Sequence, residues 1–236
     1  MTAREFDAAP PALTVSDVRN FRDAGIAGLR PGLLYRSASL NTLTPEGARQ
    51  LEALGIRTVI DLRTTAERAA WPDLHHHLEL EDLHHPLLPD QDADFAWPGT
   101  MEGTYRAMAE LGGPSIAATV RHLASDDARP TLVHCAVGKD RTGLTIAVLQ
   151  LLAGLSEAEV LTDFVRSNPH LGLDTDEPVY YYDEHGTRHR SHPVAPELLH
   201  LALTHLRTSH GSLPGYLEAH GVTPVEITAV AARLRA

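Results

Sequence analysis

Apolar positions along the 236-residue chain alternate between helical and strand-like spacing. Thr44-Pro45-Glu46 marks a helix start, with Thr44 as cap and Pro45 at the first helical position; the helix should run to Leu54 and stop at Gly55. Arg57-Thr58-Val59-Ile60-Asp61-Leu62 follows as a buried strand, and helix, glycine, β-branched strand is an α/β order. Beyond a polar, histidine-rich stretch, His84-His85-Pro86-Leu87-Leu88 is the candidate for a second strand, and Asp90 to Asp94 reads as an acidic loop. Helices are expected near Met101–Leu111 and Ser115–Ala124. Thr131-Leu132-Val133-His134 is a short strand ending on Cys135. From Arg141 a helix begins, with Leu144, Ala147, Val148, Leu151 and Leu152 on its buried side.

Ser156-x-x-Glu159 is a capping box that opens a helix to about Ser167, and Thr223-x-x-Glu226 is another that opens the last one. The first 40 residues, punctuated by Pro10, Pro11, Gly25, Gly28, Pro31 and Gly32, read as irregular or weakly stranded. Residues 169–195, with Tyr180-Tyr181-Tyr182, are the least regular stretch and read as a loop or lid over one sheet edge. The pattern predicts a single α/β domain over residues 1–236, with a central sheet flanked by helices and a mostly helical C-terminal part.

Charge narrows the partners. Twenty basic against 31 acidic residues give a formal charge of −11, which argues against nucleic acid and against stable docking on an anionic membrane. No apolar run reaches membrane-span length and the first residues show no leader, so the expected location is cytoplasmic, with secretion by an unsignalled route left open. A single cysteine excludes an internal disulfide. The only lysine among 20 basic residues is Lys139, four positions after that cysteine.

The chemistry concentrates in His134-Cys135-Ala136-Val137-Gly138-Lys139-Asp140-Arg141-Thr142-Gly143, where a buried strand turns into a helix. Backbone N–H groups of such a turn are unpaired donors at the positive end of a helix dipole, which makes an anion site. Cys135 projects into it, and the same field lowers its pKa toward a nucleophilic thiolate. The five residues to Arg141 let the backbone wrap a tetrahedral dianion while the guanidinium grips two oxygens. Ala136, Val137, Gly138 and Lys139 would bind substrate as parts of this loop, with Gly138 allowing its unusual backbone angles. Thr142 can donate to the sulfur, and Gly143 permits close helix packing. A nucleotide-binding loop is excluded, because Gly138-Lys139 is followed by Asp140, not Ser or Thr.

This string resembles the signature of protein tyrosine phosphatases, in particular a bacterial branch whose loop reads GKDRTG. Asn20-Phe21-Arg22-Asp23, Leu34-Tyr35-Arg36-Ser37, Thr58 to Arg63 and Glu67-Arg68 look like the family's N-terminal half in order, and Gly215-Tyr216-Leu217 with the last helix looks like its C-terminal end. The resemblance implies a tyrosine phosphatase-like fold and a phosphocysteine on Cys135. It implies a phosphorylated protein as substrate, without cofactor or metal. The loop is similar also to lipid phosphatases, in which a lysine here contacts inositol phosphates, so a phosphoinositide is the alternative substrate. A sulfurtransferase and a non-catalytic phosphoprotein-binding module are the remaining alternatives.

Protonating the leaving group calls for a carboxylic acid. Asp140 is the first candidate, since the resemblance implicates that position; Asp90, Asp92 and Asp94 are its rivals. Trp71-Pro72-Asp73 spells the acid loop of the larger tyrosine phosphatases but lies 62 residues before Cys135, too far for that family's spacing, and is read as chance. Arg22, Asp23, Arg36, Asp61 and Arg63 are expected to form a salt-bridge network orienting the loop. His75-His76-His77 and His185, His189 and His192 lack an acid or thiol to complete a metal set. Tyr105 and Tyr180–Tyr182 are candidates to stack on a substrate ring, with packing the commoner fate of such residues.

Overall fold

The computed structural model describes residues 14–91 and 96–236. In chain order the elements are β1 Arg22–Asp23, β2 Leu34–Ser37, α1 Pro45–Ala53, β3 Thr58–Asp61, α2 Thr65–Ala70 and β4 Glu81–His84. There follow α3 Met101–Leu111, α4 Gly113–Ala124, β5 Thr131–His134, α5 Asp140–Leu152, α6 Glu157–Val165 and α7 Ser167–Leu171. The chain ends with β6 Tyr180–Tyr182, β7 Arg188–Arg190, α8 Pro196–His210, α9 Leu213–Ala219 and α10 Pro224–Leu234.

Five strands form one sheet in the order β1-β2-β5-β3-β4; β1 is antiparallel to β2 and the rest are parallel. β5 therefore enters between β2 and β3, and the crevice for a ligand is expected at the carboxyl ends of these parallel strands. Alternation along the strands splits the core in two. Leu34, Ile60 and Val133 pack on the side covered by α3–α6 and α8–α10, whereas Tyr35, Val59 and Leu132 face a smaller cluster with Val15, Phe21 and Leu51.

The capped helices form where the sequence places them. Thr44 accepts from the Gly47 N–H, and Ser156 and Thr223 close reciprocal boxes with Glu159 and Glu226. Within the first 40 residues, expected to be irregular or weakly stranded, Leu34–Ser37 forms a short, fully buried strand. Two expectations need correction. The strand expected at His84–Leu88 lies instead at Glu81–His84; Leu87 and Leu88 follow it as buried loop residues. The helix α5 is buried on all sides from Arg141 to Gln150, while Leu151 and Leu152 are only partly covered. It is the central helix of the larger layer, not an amphipathic one. Residues 169–195 contain the β6–β7 hairpin, paired through Tyr180–Arg190, Tyr181–His189 and Tyr182–Arg188. Among the described residues no helix is long and apolar enough to cross a membrane.

Candidate active site

Cys135 leaves β5 at 3% exposure and the chain turns at once into α5. What aims the intervening loop is the fate of its carbonyls. Asn20 Nδ2 donates to the Gly138 carbonyl at 2.7 Å and to the Val137 carbonyl at 3.3 Å. Arg36 Nη2 donates to the same Gly138 carbonyl at 2.9 Å, and the Ser39 N–H to the Ala136 carbonyl at 3.3 Å. These three carbonyls are fastened by groups outside the loop, and the N–H groups of residues 136–142 reach no backbone carbonyl among the described residues, which leaves them as donors for a ligand. Gly138 has φ 68°, and a Cβ there would overlap the Ser37 carbonyl, so no other residue fits. A Cβ at Gly143 would lie 2.6 Å from the Phe164 ring, as close helix packing requires.

Burial alone would raise the Cys135 thiol pKa. The Arg141 guanidinium and the hydroxyl and backbone N–H of Thr142 outweigh it, and the thiol is lowered despite opposition from Asp140. The Thr142 hydroxyl is buried and makes no other hydrogen bond among the described residues, which leaves it free to turn toward the sulfur. Arg141 is held by Glu67: Nη2 donates to Oε1 at 2.7 Å and Nη1 to Oε2. Burial disfavours the guanidinium charge, but Glu67 more than compensates and raises its pKa. Trp97 covers the guanidinium, 5.3 Å from ring centroid to Cζ.

Asp140 sits at the first turn of α5 and accepts from the Tyr105 hydroxyl at 2.7 Å. Tyr105 is otherwise buried edge-on against Phe164, so it holds Asp140 and presents no free ring. The Lys139 ammonium donates to the His192 carbonyl at 2.7 Å, with the Ser191 hydroxyl at 3.5 Å and Asp140 Oδ2 at 3.7 Å. Asp90 is engaged as acceptor for the Ala66 N–H at 2.8 Å, at the start of α2; Asp92 and Asp94 lie outside the described residues. Asp73 is nearly buried between the Leu40 N–H at 2.7 Å, Arg63 at 3.0 Å and His134 at 3.0 Å, which leaves it structural.

The expected charge network is real but divided. Arg63 chelates Asp61 through Nε and Nη2 and also reaches Asp73; Arg22 and Arg36 share Asp163, at 3.7 Å each. Asp23 belongs to neither: it accepts from the Gly25 and Gly32 N–H groups and closes the turn between β1 and β2. His134 is buried beside Asp61 and Asp73. Burial disfavours its charge, but the two carboxylates prevail and raise its pKa to about 9. The ligand atoms of Asp61, Asp73 and His134 cluster within 4.8 Å, but the Arg63 guanidinium already serves both carboxylates as their cation. Among the described residues neither histidine run joins such a cluster.

A cleft of about 270 Å³ opens above Ala136 and Val137, with Ser39, Arg19, Trp71 and Tyr180–Tyr182 in its walls. The hairpin that brings these tyrosines is tied at two points, by Lys139 and by the Trp71 indole donating to the Asp183 carbonyl at 2.9 Å. Glu67, Asn20, Asp163 and Trp97 had no assigned role in the sequence. Only Glu67 carries a local signal, because Thr64-x-x-Glu67 is itself a capping box.

Residues 13–236 match the tyrosine phosphatase family, and the chain belongs to it. The expected class is thereby borne out. Among its relatives, the triple specificity protein phosphatase PtpB of Mycobacterium tuberculosis is 28% identical over 260 residues, covering 88% of this chain and 93% of that protein. A tyrosine-protein phosphatase of Nostoc commune is 29% identical over 216 residues, covering 84% of this chain and 73% of that one.

Proposed function

We propose that this chain hydrolyses phosphomonoesters, above all phosphotyrosine in cytoplasmic proteins, through a phosphocysteine on Cys135. The observation that carries this reading is the loop itself: a depressed thiol beside N–H groups that reach no backbone carbonyl among the described residues, in a loop whose carbonyls are fastened by Asn20, Arg36 and Ser39. The loop backbone from Ala136 to Lys139 and the Arg141 guanidinium hold the phosphoryl oxygens and stabilise the charge that develops on them. Glu67 takes one N–H from each Nη, which leaves Nε and a neighbouring Nη with donors for phosphate.

The Cys135 thiolate attacks phosphorus in line, an S–P bond forms and the bond to the tyrosine oxygen breaks. Asp140, placed by Tyr105, delivers its proton to that oxygen. Water then attacks phosphorus, its proton passes to Asp140, and the S–P bond breaks to return phosphate and the thiolate. The Thr142 hydroxyl stabilises the departing sulfur in this second step.

Protein substrates are favoured over phosphoinositides by the state of Lys139. The ammonium that would meet an inositol phosphate is already bonded to the His192 carbonyl, and the chain as a whole is acidic. Turnover of para-nitrophenyl phosphate, a phosphotyrosyl peptide and phosphoinositide vesicles by intact and Cys135→Ser protein tests the proposal. Phosphate release from the first two, abolished in the variant, is expected. No release by the intact protein, as a sulfurtransferase or a binding module would give, overturns it.

A further inference from the structure

Four arginines around the phosphate loop are spent on carboxylates: Arg22 and Arg36 on Asp163, Arg63 on Asp61 and Asp73, and Arg141 on Glu67. Arg19 differs. It lines the cleft with Ala136 and Val137, yet no carboxylate acts on its guanidinium among the described residues. Its backbone is nevertheless fixed. The Arg19 carbonyl accepts from the Ala38 N–H at 2.8 Å, and the next residue, Asn20, is bonded to two carbonyls of the loop. An exposed cation thus extends from a fixed backbone position into the cleft beside the loop of a chain with charge −11.

Aromatic rings line the same cleft. Trp71 and Tyr180 are 39% exposed and Tyr182 is 55% exposed, unusual for rings of this size, and all three face the same cleft. Aromatic rings, of which Tyr180 is itself stacked by Arg188 at 4.4 Å, and an unspent guanidinium in one cleft suit a ligand that is aromatic where it carries phosphate and anionic next to it.

We propose that Arg19 is a specificity-determining residue, which binds a carboxylate side chain flanking the phosphotyrosine of the protein substrate. This rests on the phosphotyrosine reading above. The contact is made at the cleft's solvent edge, so it contributes selectivity and not the chemistry itself.

Phosphotyrosyl peptides with glutamate or alanine at the flanking positions, assayed with intact, Arg19→Ala and Arg19→Glu protein, read this contact. An exposed ion pair corresponds to about a threefold preference for the glutamate peptide in kcat/KM. That preference should vanish in Arg19→Ala, reverse in Arg19→Glu and shrink in high salt. Turnover of para-nitrophenyl phosphate should stay within about twofold throughout, which a merely structural role for Arg19 would not allow. Equilibrium binding of the same labelled peptides to Cys135→Ser protein reads the contact without turnover, so a failure of the catalytic proposal is told apart from a failure of this one. A glutamate preference that survives Arg19→Glu overturns the inference. So does a loss confined to phosphoinositide turnover, which would assign Arg19 to a lipid headgroup.

Discussion

Glu67 grips Arg141 with both carboxylate oxygens, across 74 positions of sequence, and the same carboxylate closes the start of α2. Its Oε2 also accepts from the Thr64 N–H at 2.9 Å. One side chain therefore caps a helix and sets the orientation of the Arg141 guanidinium. The pair is almost fully buried, so each partner depends on the other for its charge.

Glu67→Gln should lower kcat/KM for para-nitrophenyl phosphate by about 10- to 100-fold, because the guanidinium loses one of its two anchors and its alignment. The variant should also melt earlier, since breaking a buried pair costs about 3–5 kcal/mol when one charge is left behind. Steady-state kinetics and thermal melts check both. Wild-type kinetics in a destabilised variant would assign Glu67 to the fold alone.

Asn20 is the second device with no catalytic chemistry of its own. Its side chain holds the Val137 and Gly138 carbonyls out of the cavity, from a left-handed backbone with φ 56°. Asn20→Gly accepts that backbone and removes only the side chain. The expected results are about a tenfold loss of kcat at neutral pH and a Cys135 thiol moved up toward its ordinary value. The pH dependence of iodoacetamide alkylation reads the second effect.

Asp140→Asn separates the acid candidates. Loss of a general acid lowers the rate about 10²- to 10⁴-fold, and less for a leaving group that needs no proton. The loss should therefore be larger with a phosphotyrosyl peptide than with para-nitrophenyl phosphate. Asp90→Asn, which weakens a bond to the Ala66 N–H, should leave that ratio unchanged. The opposite pattern would move the role to Asp90.

These sites differ in how far the sequence discloses them. The candidate loop is legible because Cys135 to Arg141 is contiguous and sits between a β-branched strand and a helix start. The caps at Thr44, Ser156 and Thr223 are legible for the same reason: donor and acceptor lie three residues apart. The partners of the loop are remote. Asn20 reaches Gly138 across 118 residues, and nothing local in Asn20-Phe21-Arg22-Asp23 says which carbonyl it will hold.

Polar residues inside strands hide two more elements. Arg36 breaks the apolar pattern of Leu34–Ser37, yet the strand is buried because Asp163 comes from α6 to balance the charge. Glu81 and Asp82 disguise β4, an edge strand whose polar residues keep contact with solvent. The all-round burial of α5 has a tertiary cause. Strand β5 beneath it and α6, α8, α9 and α10 around it cover faces that its own sequence does not distinguish.

His134 gives the fold a pH dependence of defined sign. Its folded pKa of about 9 lies above the ordinary 6.5, so protonation favours the folded state. The contribution is complete below about pH 6.5 and is lost as pH rises through about 9. The depressed Cys135 thiol acts in the opposite direction, so the measurement belongs in Cys135→Ser protein. Denaturant melts there should show stability falling between those two values. A flat profile would mean that His134 is neutral in the fold.

The nucleophile is tested most directly by catching it. Rapid acid quench of the intact enzyme during turnover of a phosphotyrosyl peptide, followed by peptide mass mapping, should find one phosphoryl group on the peptide that contains Cys135, and none in Cys135→Ser protein. Phosphate on another residue, or continued phosphate release by the Cys135→Ser protein, would contradict the account.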